Sequence, residues 1–437
     1  MNETMTGDMW IALIIVIVTY TLIFRETIHR TNAAIIGAVS MVGAGMLLGF
    51  YTQEQAIQSI DGNTLLLLMG MMMLITLIKP TGGFEYMAII IGKMAKGSPL
   101  RLLVYLSLAV SLISMLLDNV TTVIIFAPLT VLMCRMLKLN PLPYLMSEAI
   151  MSNIGGIATL IGDPPNLMIG SQANIDFMTF LIHMGPIISV VWIICMVMLA
   201  FMFREYLGST NKQGFNLNLD ETKAIKQPER LNKILLVMAL VVILFFVHHY
   251  LHLYPAYVAL IGVGLALVLI NPSPSELFGE VLWSVLIFFA GLFAIVGGLE
   301  ASGFLHLTGI QLAKLAQDPE LLLITCLVLM WVSAILSAIV DNIPFTVTMI
   351  PIVQSLESQG VNITPLWWAL ALGAGLGGNG THIGATANII CMSESEKFNV
   401  ESARITPQIW LRKGLPVMIV SLITSTIVFV AFFDFFI

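Results

Sequence analysis

Long apolar stretches recur from one end of this 437-residue chain to the other. Two examples are MWIALIIVIVTYTLIF at 9–24 and PVMIVSLITSTIVFVAFF at 416–433. Each is about long enough to cross the ~30 Å hydrocarbon layer of a bilayer as a helix. Only 10% of the residues are charged, whereas a soluble domain carries roughly 25%. We therefore predict an all-α polytopic membrane protein, with the lipid bilayer as its first partner.

The apolar stretches form ten candidate spans and two longer pairs. The spans lie near 9–25, 33–50, 62–79, 144–172, 182–203, 233–250, 255–271, 281–300, 364–396 and 414–434, and the pairs cover 100–137 and 320–357. The one clearly polar linker lies at 204–233 and divides the chain nearly in half. We predict a first repeat at 1–207, a cytoplasmic linker at 208–230 and a second repeat at 231–437.

The two halves resemble each other in sequence. The pattern GGxxTxIGxxxN occurs at 155–166 and again at 377–388. An Asp-Asn pair precedes each pattern, with Asp118 lying 41 residues before Thr159 and Asp341 lying 40 residues before Thr381. A third segment also matches without gaps, at 63–84 and 283–304. Three collinear matches indicate an internal duplication.

The charge distribution predicts how the halves are oriented. Each half contains five spans and one apolar pair, and an odd number of spans makes the second half insert upside down. If the N-terminus lies outside and each pair is a hairpin returning to its own side, Lys314 is the only one of the 19 basic residues outside. This asymmetry is what the positive-inside rule expects. Both termini are then outside the cell membrane, and each half has five transmembrane helices plus one re-entrant hairpin.

One span in each half is interrupted by glycines, joined in the first half by two prolines. The interruptions read SNIGGIATLIGDPPN at 152–166 and GAGLGGNGTHIGATAN at 373–388. Irregular backbone at membrane depth survives only where protein buries it or where it lines a cavity. A broken helix presents free carbonyls at one end, which suit a cation, and free N–H groups at the other, which suit an anion or a dipole. Two such breaks at corresponding positions indicate the binding site of a transporter.

Each apolar pair turns at its Asp-Asn dipeptide. A carboxylate at mid-membrane costs about 2.5–3.5 kcal/mol on insertion scales and commonly marks an ion or proton path. The two arms of each pair are also long enough to cross the membrane fully, and the dipeptide would then be a hydrated turn. The matched placement of the dipeptides and the breaks favours a re-entrant hairpin, but the sequence leaves both alternatives open.

The residues at these positions resemble a known family. DNVTTVIIFAPLT, SNIGGIATLIGDPPNLMIG and GGNGTHIGATANII are similar to the ArsB/NhaD branch of the ion transporter superfamily. That branch contains arsenite permeases, sodium–proton antiporters and P-protein-like members, and is more distantly related to divalent anion–sodium symporters and citrate transporters. The resemblance covers both halves. It implies re-entrant hairpins that face two broken helices, a homodimer, and an elevator motion of a transport domain against a scaffold.

The hairpin tips depart from the symporter pattern. The Ser-Asn-Thr of the symporters is replaced by Asp118-Asn119-Val120 and Asp341-Asn342-Ile343. An ionised carboxylate repels an anionic substrate by roughly 1 kcal/mol at 4 Å in water, and by more at lower dielectric. We therefore expect Na⁺ and/or H⁺ as coupling ions in cation/proton antiport. The alternative is a cation-coupled or uniport permease for a small anion or metalloid, such as arsenite, silicate, citrate or a dicarboxylate.

The candidate ion-binding residues come from the two tips and the two breaks. They are Asp118, Asn119, Thr121, Asn153, Gly156, Thr159, Gly162, Asp163, Asn166, Asp341, Asn342, Gly378, Asn379, Thr381, His382, Gly384 and Asn388. The tip pairs Asp118-Asn119 and Asp341-Asn342 are the candidate Na⁺ ligands, and Asp163, which is replaced by Ala385 in the second break, makes the site asymmetric. We expect no enzymatic activity, no resident cofactor and no nucleic-acid partner.

Several other polar residues are interpreted as structural. Glu148, Glu300 and His306 lie near span ends, and we interpret them as interfacial. The segment HHYLHLYP at 248–255 is interpreted as a polar belt rather than a metal site, with Tyr250 and Tyr254 as interface anchors.

Overall fold

The architecture of the chain is taken from a computed structural model, which describes residues 5–25, 28–208, 221–307, 319–340, 342–397 and 403–437. Within these ranges the regular secondary structure is helical, without strands. Asp341 and Lys314 lie outside the described residues, so the predictions made for them stay predictions.

The helices follow the apolar stretches of the sequence. In the first half they are Gly7–Arg25, Arg30–Leu48, Gln53–Gln58, Gly62–Ile78, Gly83–Met94, Pro99–Ser114, Asn119–Leu137, Leu142–Gly156, Pro164–Ala173, Phe177–Met202 and Arg204–Leu207. In the second half they are Pro228–Val247, Pro255–Ile270, Pro274–Gly279, Trp283–Ala301, Pro319–Val340, Asn342–Glu357, Thr364–Gly377, Thr386–Glu396, Pro407–Ala431 and Phe433–Phe436.

Eight helices among the described residues are long and apolar enough to cross a membrane. They are Arg30–Leu48, Gly62–Thr81, Asn119–Leu137, Phe177–Met202, Pro228–Val247, Trp283–Ala301, Leu321–Ile339 and Pro407–Ala431. Three apolar helices are shorter, at Gly7–Ile23, Pro99–Ser114 and Pro255–Ile270. The prediction of an all-α polytopic membrane protein is confirmed.

Two hairpins and two broken helices surround the site. The first hairpin consists of Pro99–Ser114 and Asn119–Leu137, and the second hairpin of Pro319–Val340 and Asn342–Glu357. The first broken helix consists of Leu142–Gly156 and Pro164–Ala173, separated by the first break at 157–163. The second broken helix consists of Thr364–Gly377 and Thr386–Glu396, separated by the second break at 378–385. The glycines and prolines therefore end these helices where the sequence predicts.

The helices of the two halves pair in the same way. Each hairpin packs its first arm on the broken helix of its own half, and its second arm on the far segment of the other broken helix. Outside this cluster, Arg30–Leu48 packs against Trp283–Ala301, and Gly62–Ile78 packs against Pro255–Ile270. These two pairs correspond to each other under the duplication. We call these four helices, together with Gly7–Arg25 and Pro228–Val247, the outer helices; the inversion of one half relative to the other stays a prediction.

Candidate functional site

The first hairpin tip lies directly on the first break. The backbone N–H of Asn119 donates to the carbonyl of Gly162 at 3.2 Å. Gly162 and Gly156 pack closely, because a Cβ on either would lie 2.5 Å from the carbonyl oxygen of the other. The pair Gly378 and Gly384 packs similarly in the second break. The predicted convergence of tip and break is therefore present in the first half of the chain.

The asparagine that ends the repeated pattern closes each break. Nδ2 of Asn166 donates to the carbonyls of Gly156, at 3.2 Å, and Thr159, at 3.0 Å. Nδ2 of Asn388 donates to the corresponding carbonyls of Gly378, at 2.8 Å, and Thr381, at 2.9 Å. A buried carbonyl without a partner is costly. The asparagines thus satisfy part of the backbone that the breaks expose, which explains why both halves retain them.

Hydroxyl groups hold each break against its own hairpin. Thr159 donates through Oγ1 to the carbonyl of Met115 at 2.5 Å, and Thr381 donates to the carbonyl of Ala338. Thr159 and Thr381 are candidate ion ligands. These bonds use their hydroxyl protons and leave the oxygens able to bind a cation, so that role stays a prediction. Two serines that the sequence analysis did not select add a matched pair of bonds: Ser114 to the carbonyl of Ser152, and Ser337 to that of Ala374.

The carboxylate of Asp163 joins the two hairpin tips. Nδ2 of Asn119 donates to Oδ1 of Asp163 at 3.4 Å. Nδ2 of Asn342 donates to both oxygens of the same carboxylate, at 3.3 and 3.1 Å. Asp163 is only 1% exposed, so a negative charge on it would act in a site where water screens weakly. Asp163, which the sequence predicts to be an ion-binding residue that makes the site asymmetric, thus lies between both tips.

Asn153 connects this arrangement to the second broken helix. Its Oδ1 accepts from Nδ2 of Asn119 at 3.0 Å. Its Nδ2 donates to Oδ1 of Asn379 at 2.9 Å and to Oδ1 of Asn388 at 3.1 Å. We call these five asparagines, together with Asp163, the polar network; its members are Asn119, Asn153, Asp163, Asn342, Asn379 and Asn388.

Three buried polar atoms in or beside the polar network have no hydrogen-bond partner among the described residues. Two are the acceptor oxygens Oδ1 of Asn119 and Oδ1 of Asn166, and the third is the donor Nδ2 of Asn379. The duplication explains the second case. The counterpart of Asn166 in the second half is Asn388, whose Oδ1 accepts from Nδ2 of Asn153. The counterpart of Asn153 in the second half is Gly375, which has no side chain that could donate to Oδ1 of Asn166. Unused oxygens beside a carboxylate suit a hard cation, which takes oxygen ligands.

Asp118 lies at the tip but caps its own helix. Its Oδ1 accepts from the backbone N–H of Thr121 at 2.8 Å, and its Oδ2 accepts from the Thr121 hydroxyl at 2.6 Å. The same Asp-x-x-Thr cap begins Gly62–Ile78, at Asp61, and Phe177–Met202, at Asp176. The second hairpin cannot repeat this cap, because Pro344 stands where the first has Thr121 and proline has no N–H. The role of Asp118 as an ion ligand stays a prediction.

The remaining candidates lie around the polar network. His382 is half-buried in the second break, and Gly156, Gly162, Gly378 and Gly384 are buried in the backbone contacts described above.

Arg30, which sequence analysis missed because it begins a span, donates through Nη1 to the hydroxyl of Thr386 at 2.7 Å. Thr386 is the first residue of the half-helix that follows the second break. No sequence signal places this cation near the site.

The interfacial interpretation of Glu148 is wrong. Glu148 is fully buried in the first broken helix, and its Oε1 accepts from the hydroxyl of Thr130. Glu300 and His306 are exposed, as an interfacial position requires. The duplication aligns Glu148 with Leu370 of the second half, and this apolar counterpart is the sequence signal for a buried position.

The histidine segment lies beside a cavity of about 380 Å³. His248 is buried: its Nε2 accepts from the backbone N–H of Phe177, and its Nδ1 contacts the carbonyl of Leu253 at 2.8 Å. Tyr250 and Tyr254 are exposed, in keeping with their interpretation as interface anchors. The described residues contain no group of His, Cys, Asp and Glu that could hold a metal ion.

The close glycine contact makes a prediction for Gly162→Ala. Its Cβ would lie 2.5 Å from the carbonyl oxygens of both Gly156 and Ser114, and backbone cannot move aside as a side chain can. We expect a destabilisation of about 1–3 kcal/mol or more, measured as a lower thermal unfolding midpoint in detergent. Gly43→Ala is the matched control, since its helical Cβ would meet nothing within 4 Å; equal midpoints for the two variants would contradict the packing described here.

The helical fold and the buried polar cluster between broken helices define a multi-pass membrane transporter, and the comparisons with known proteins agree. The family model "Citrate transporter" (CitMHS) matches residues 14–373. The chain belongs to this family, which confirms the resemblance seen in the sequence.

Relatives and a solved structure extend the match. The chain is 38% identical over 426 residues to the uncharacterized transporter Rv2684 of Mycobacterium tuberculosis, covering 95% of this chain and 97% of the relative. It is 31% identical to the human P protein, covering 92% of this chain but 57% of that longer protein. The crystal structure of the YdaH transporter from Alcanivorax borkumensis superposes with a TM-score of 0.61 at 12% identity, covering 98% of both chains, and supports the fold alone.

Proposed function

We propose that this protein is a secondary transporter that exchanges Na⁺ and/or H⁺ across the membrane, with Asp163 as the charged ligand of its cation site. The observation that carries the proposal is that asparagines from both hairpin tips donate to this one buried carboxylate. Oδ1 of Asn119 and Oδ1 of Asn166 offer further oxygens close by. A small hard cation takes such a set of oxygens, and a proton binds to the carboxylate alone.

The proposed transport cycle follows from how the helices pair. The hairpins and broken helices pack mainly on one another, as do the outer helices. We propose that the first group moves against the second as an elevator, carrying the polar network from one side to the other. Asn119 and Asn342, the asparagines of the two tips, both contact Asp163 of the first break, midway along the first broken helix, which supports re-entrant hairpins. The homodimer, the outward-facing termini, the cell-membrane location and the absence of enzymatic activity belong to the same proposal.

A second candidate is a permease for a small anion. Three observations favour it: the family is described as citrate transporters, Nδ2 of Asn379 is a buried donor without a partner, and Arg30 reaches Thr386 at the start of a half-helix. The N-terminus of a helix attracts anions through its free N–H groups. In this reading the cation at Asp163 would bind first and offset the repulsion between the carboxylate and an anionic substrate.

Reconstituted protein distinguishes the two candidates. Liposomes loaded with a pH-sensitive dye receive a pulse of Na⁺, K⁺ or Li⁺, and in parallel a pulse of citrate, arsenite or silicate with and without Na⁺. Cation-driven proton movement in the absence of any anion supports the exchanger. Anion uptake without proton movement on the cation pulse would overturn it in favour of the permease. Empty liposomes and protein carrying Asp163→Asn are the controls.

A further inference from the structure

Glu148 is a buried carboxyl group outside the polar network. It lies on Leu142–Gly156, which packs against Asn119–Leu137 of the first hairpin and against Thr386–Glu396. Its side chain is fully buried, and Oε1 accepts from the hydroxyl of Thr130 on the hairpin. Oε2 has no hydrogen-bond partner among the described residues. The carboxyl group thus lies where three segments that contribute to the proposed site meet.

The second half shows that the fold does not need a carboxyl group here. The duplication aligns Pro143 with Pro365, so Glu148 corresponds to Leu370, which is also fully buried. It aligns Pro128 with Pro351, so Thr130 corresponds to Val353. The second half therefore packs the same junction with an apolar pair. Replacing a buried polar pair by apolar residues of similar size is often neutral or stabilising, so stability alone gives no reason to keep Glu148.

The surroundings of Glu148 suit a proton and not a metal cation. Hard cations take several oxygen ligands, whereas the titratable groups that face Glu148 are the thiols of Cys134 and Cys391. No cation pairs with Glu148 among the described residues, and a buried carboxylate without one is strongly disfavoured. Accepting a proton on Oε2 removes the charge.

We propose that Glu148 is a second proton-binding site, distinct from Asp163, whose protonation holds the first hairpin, the first broken helix and Thr386–Glu396 together. The proposal rests on the transport function proposed above. When Glu148 loses its proton, the resulting carboxylate must reach water or a cation, and the junction opens. Proton binding at this position is thereby linked to the packing of the segments that carry the polar network.

The other titratable residues on the helices that pack against Glu148 do not bind to its carboxyl group, so the proposed gain and loss of a proton belongs to Glu148. Thr364–Gly377 contains no titratable residue. The titratable residues of the other packed helices have no hydrogen bond or ion pair with Glu148; they are Arg101, Tyr105, Arg135, His183 and Cys195. On the segment of Glu148 itself, Tyr144 donates to the carbonyl of Pro99. On Thr386–Glu396, Glu394 pairs with Lys397 and Glu396 pairs with Arg404.

Infrared difference spectroscopy of the reconstituted protein tests the proposal without relying on transport. A pH step should change a carboxylic acid C=O band in the wild type, and Glu148→Gln should remove that band while leaving the one that depends on Asp163. The pH dependence of the transport rate should change as well. One bound proton allows the wild-type rate to change about tenfold per pH unit. In Glu148→Gln the rate should then change less than about twofold per pH unit.

Two results would overturn the proposal. One is a band that persists in Glu148→Gln, and the other is an unchanged pH profile in a variant that transports. The double variant Thr130→Val, Glu148→Leu introduces the apolar pair of the second half, so it should fold if Glu148→Gln does not, and it should lack the band. Protein that transports nothing under any condition would count against the proposed function. The infrared result would still decide whether Glu148 binds a proton.

Discussion

Replacing Asp163 by Asn is expected to reduce cation-driven transport by roughly 100-fold or more. Removing the charged partner of a buried ion costs about 2–5 kcal/mol, and each 1.4 kcal/mol is a factor of ten. The amide keeps the size of the side chain, but it faces Nδ2 of Asn119 and Nδ2 of Asn342 with one acceptor oxygen instead of two. Initial rates in proteoliposomes, and Na⁺ binding to purified protein by calorimetry, measure the effect.

The matched control is Asp176, an aspartate that caps a helix. Asp176→Asn makes the same charge change at a helix cap away from the polar network. Burial alone would raise the pKa of Asp176, but hydrogen bonds from Thr179 and Met178 hold it below its usual value, so the control removes a real charge at neutral pH. We expect near-normal transport from Asp176→Asn. If Asp163→Asn transports as well as this control does, Asp163 is not the cation ligand.

Asp118→Asn separates the two interpretations of the first tip. If Asp118 only caps its helix, as its bonds to Thr121 suggest, Asn replaces it well, because Asn is an equally good cap. Transport should then fall by less than about tenfold, a cap being worth ~1 kcal/mol. A loss as large as that of Asp163→Asn would restore Asp118 to the ion site, as the sequence alone predicts.

Much of this architecture could be predicted from the sequence because it depends on local signals. The apolar stretches give the helices, and glycines end the first segment of each broken helix, at Gly156 and Gly377. The duplication brings the Asp-Asn dipeptides into the same argument as the breaks. The contact between the tip at Asn119 and the break at Gly162 agrees with the matched spacing and with the facing hairpins and broken helices that the resemblance implies.

The features that the sequence does not predict depend on the direction of side chains and on three-dimensional packing. The Asp-x-x-Thr cap turns Asp118 along its helix and leaves Asn119 facing the break. Asp163 lies between the tips because two hairpins that are distant in the chain both bring an asparagine to it. Glu148 is near a span end by count, yet three segments bury it. Arg30 reaches Thr386 across 356 residues of sequence, and no pattern in one chain predicts such a contact.

The second large effect is expected from Asn153→Ala, which should impair both stability and transport. Asn153 is the residue that links the first tip to the second broken helix, through its bonds with Asn119, Asn379 and Asn388. Truncation leaves two buried carbonyl oxygens without their donor, at ~1–3 kcal/mol each. We expect the free energy of unfolding to fall by at least about 2 kcal/mol.

Asn63→Ala is the matched control for this variant. Asn63 makes two side-chain hydrogen bonds, but it lies half-buried at a span end, where water can replace them. Its thermal midpoint in detergent should fall less than that of Asn153→Ala. In liposomes it should also keep its transport rate. The comparison isolates the contribution of the polar network: equal midpoints and equal rates for the two variants would mean that the network neither holds the two broken helices together nor takes part in transport.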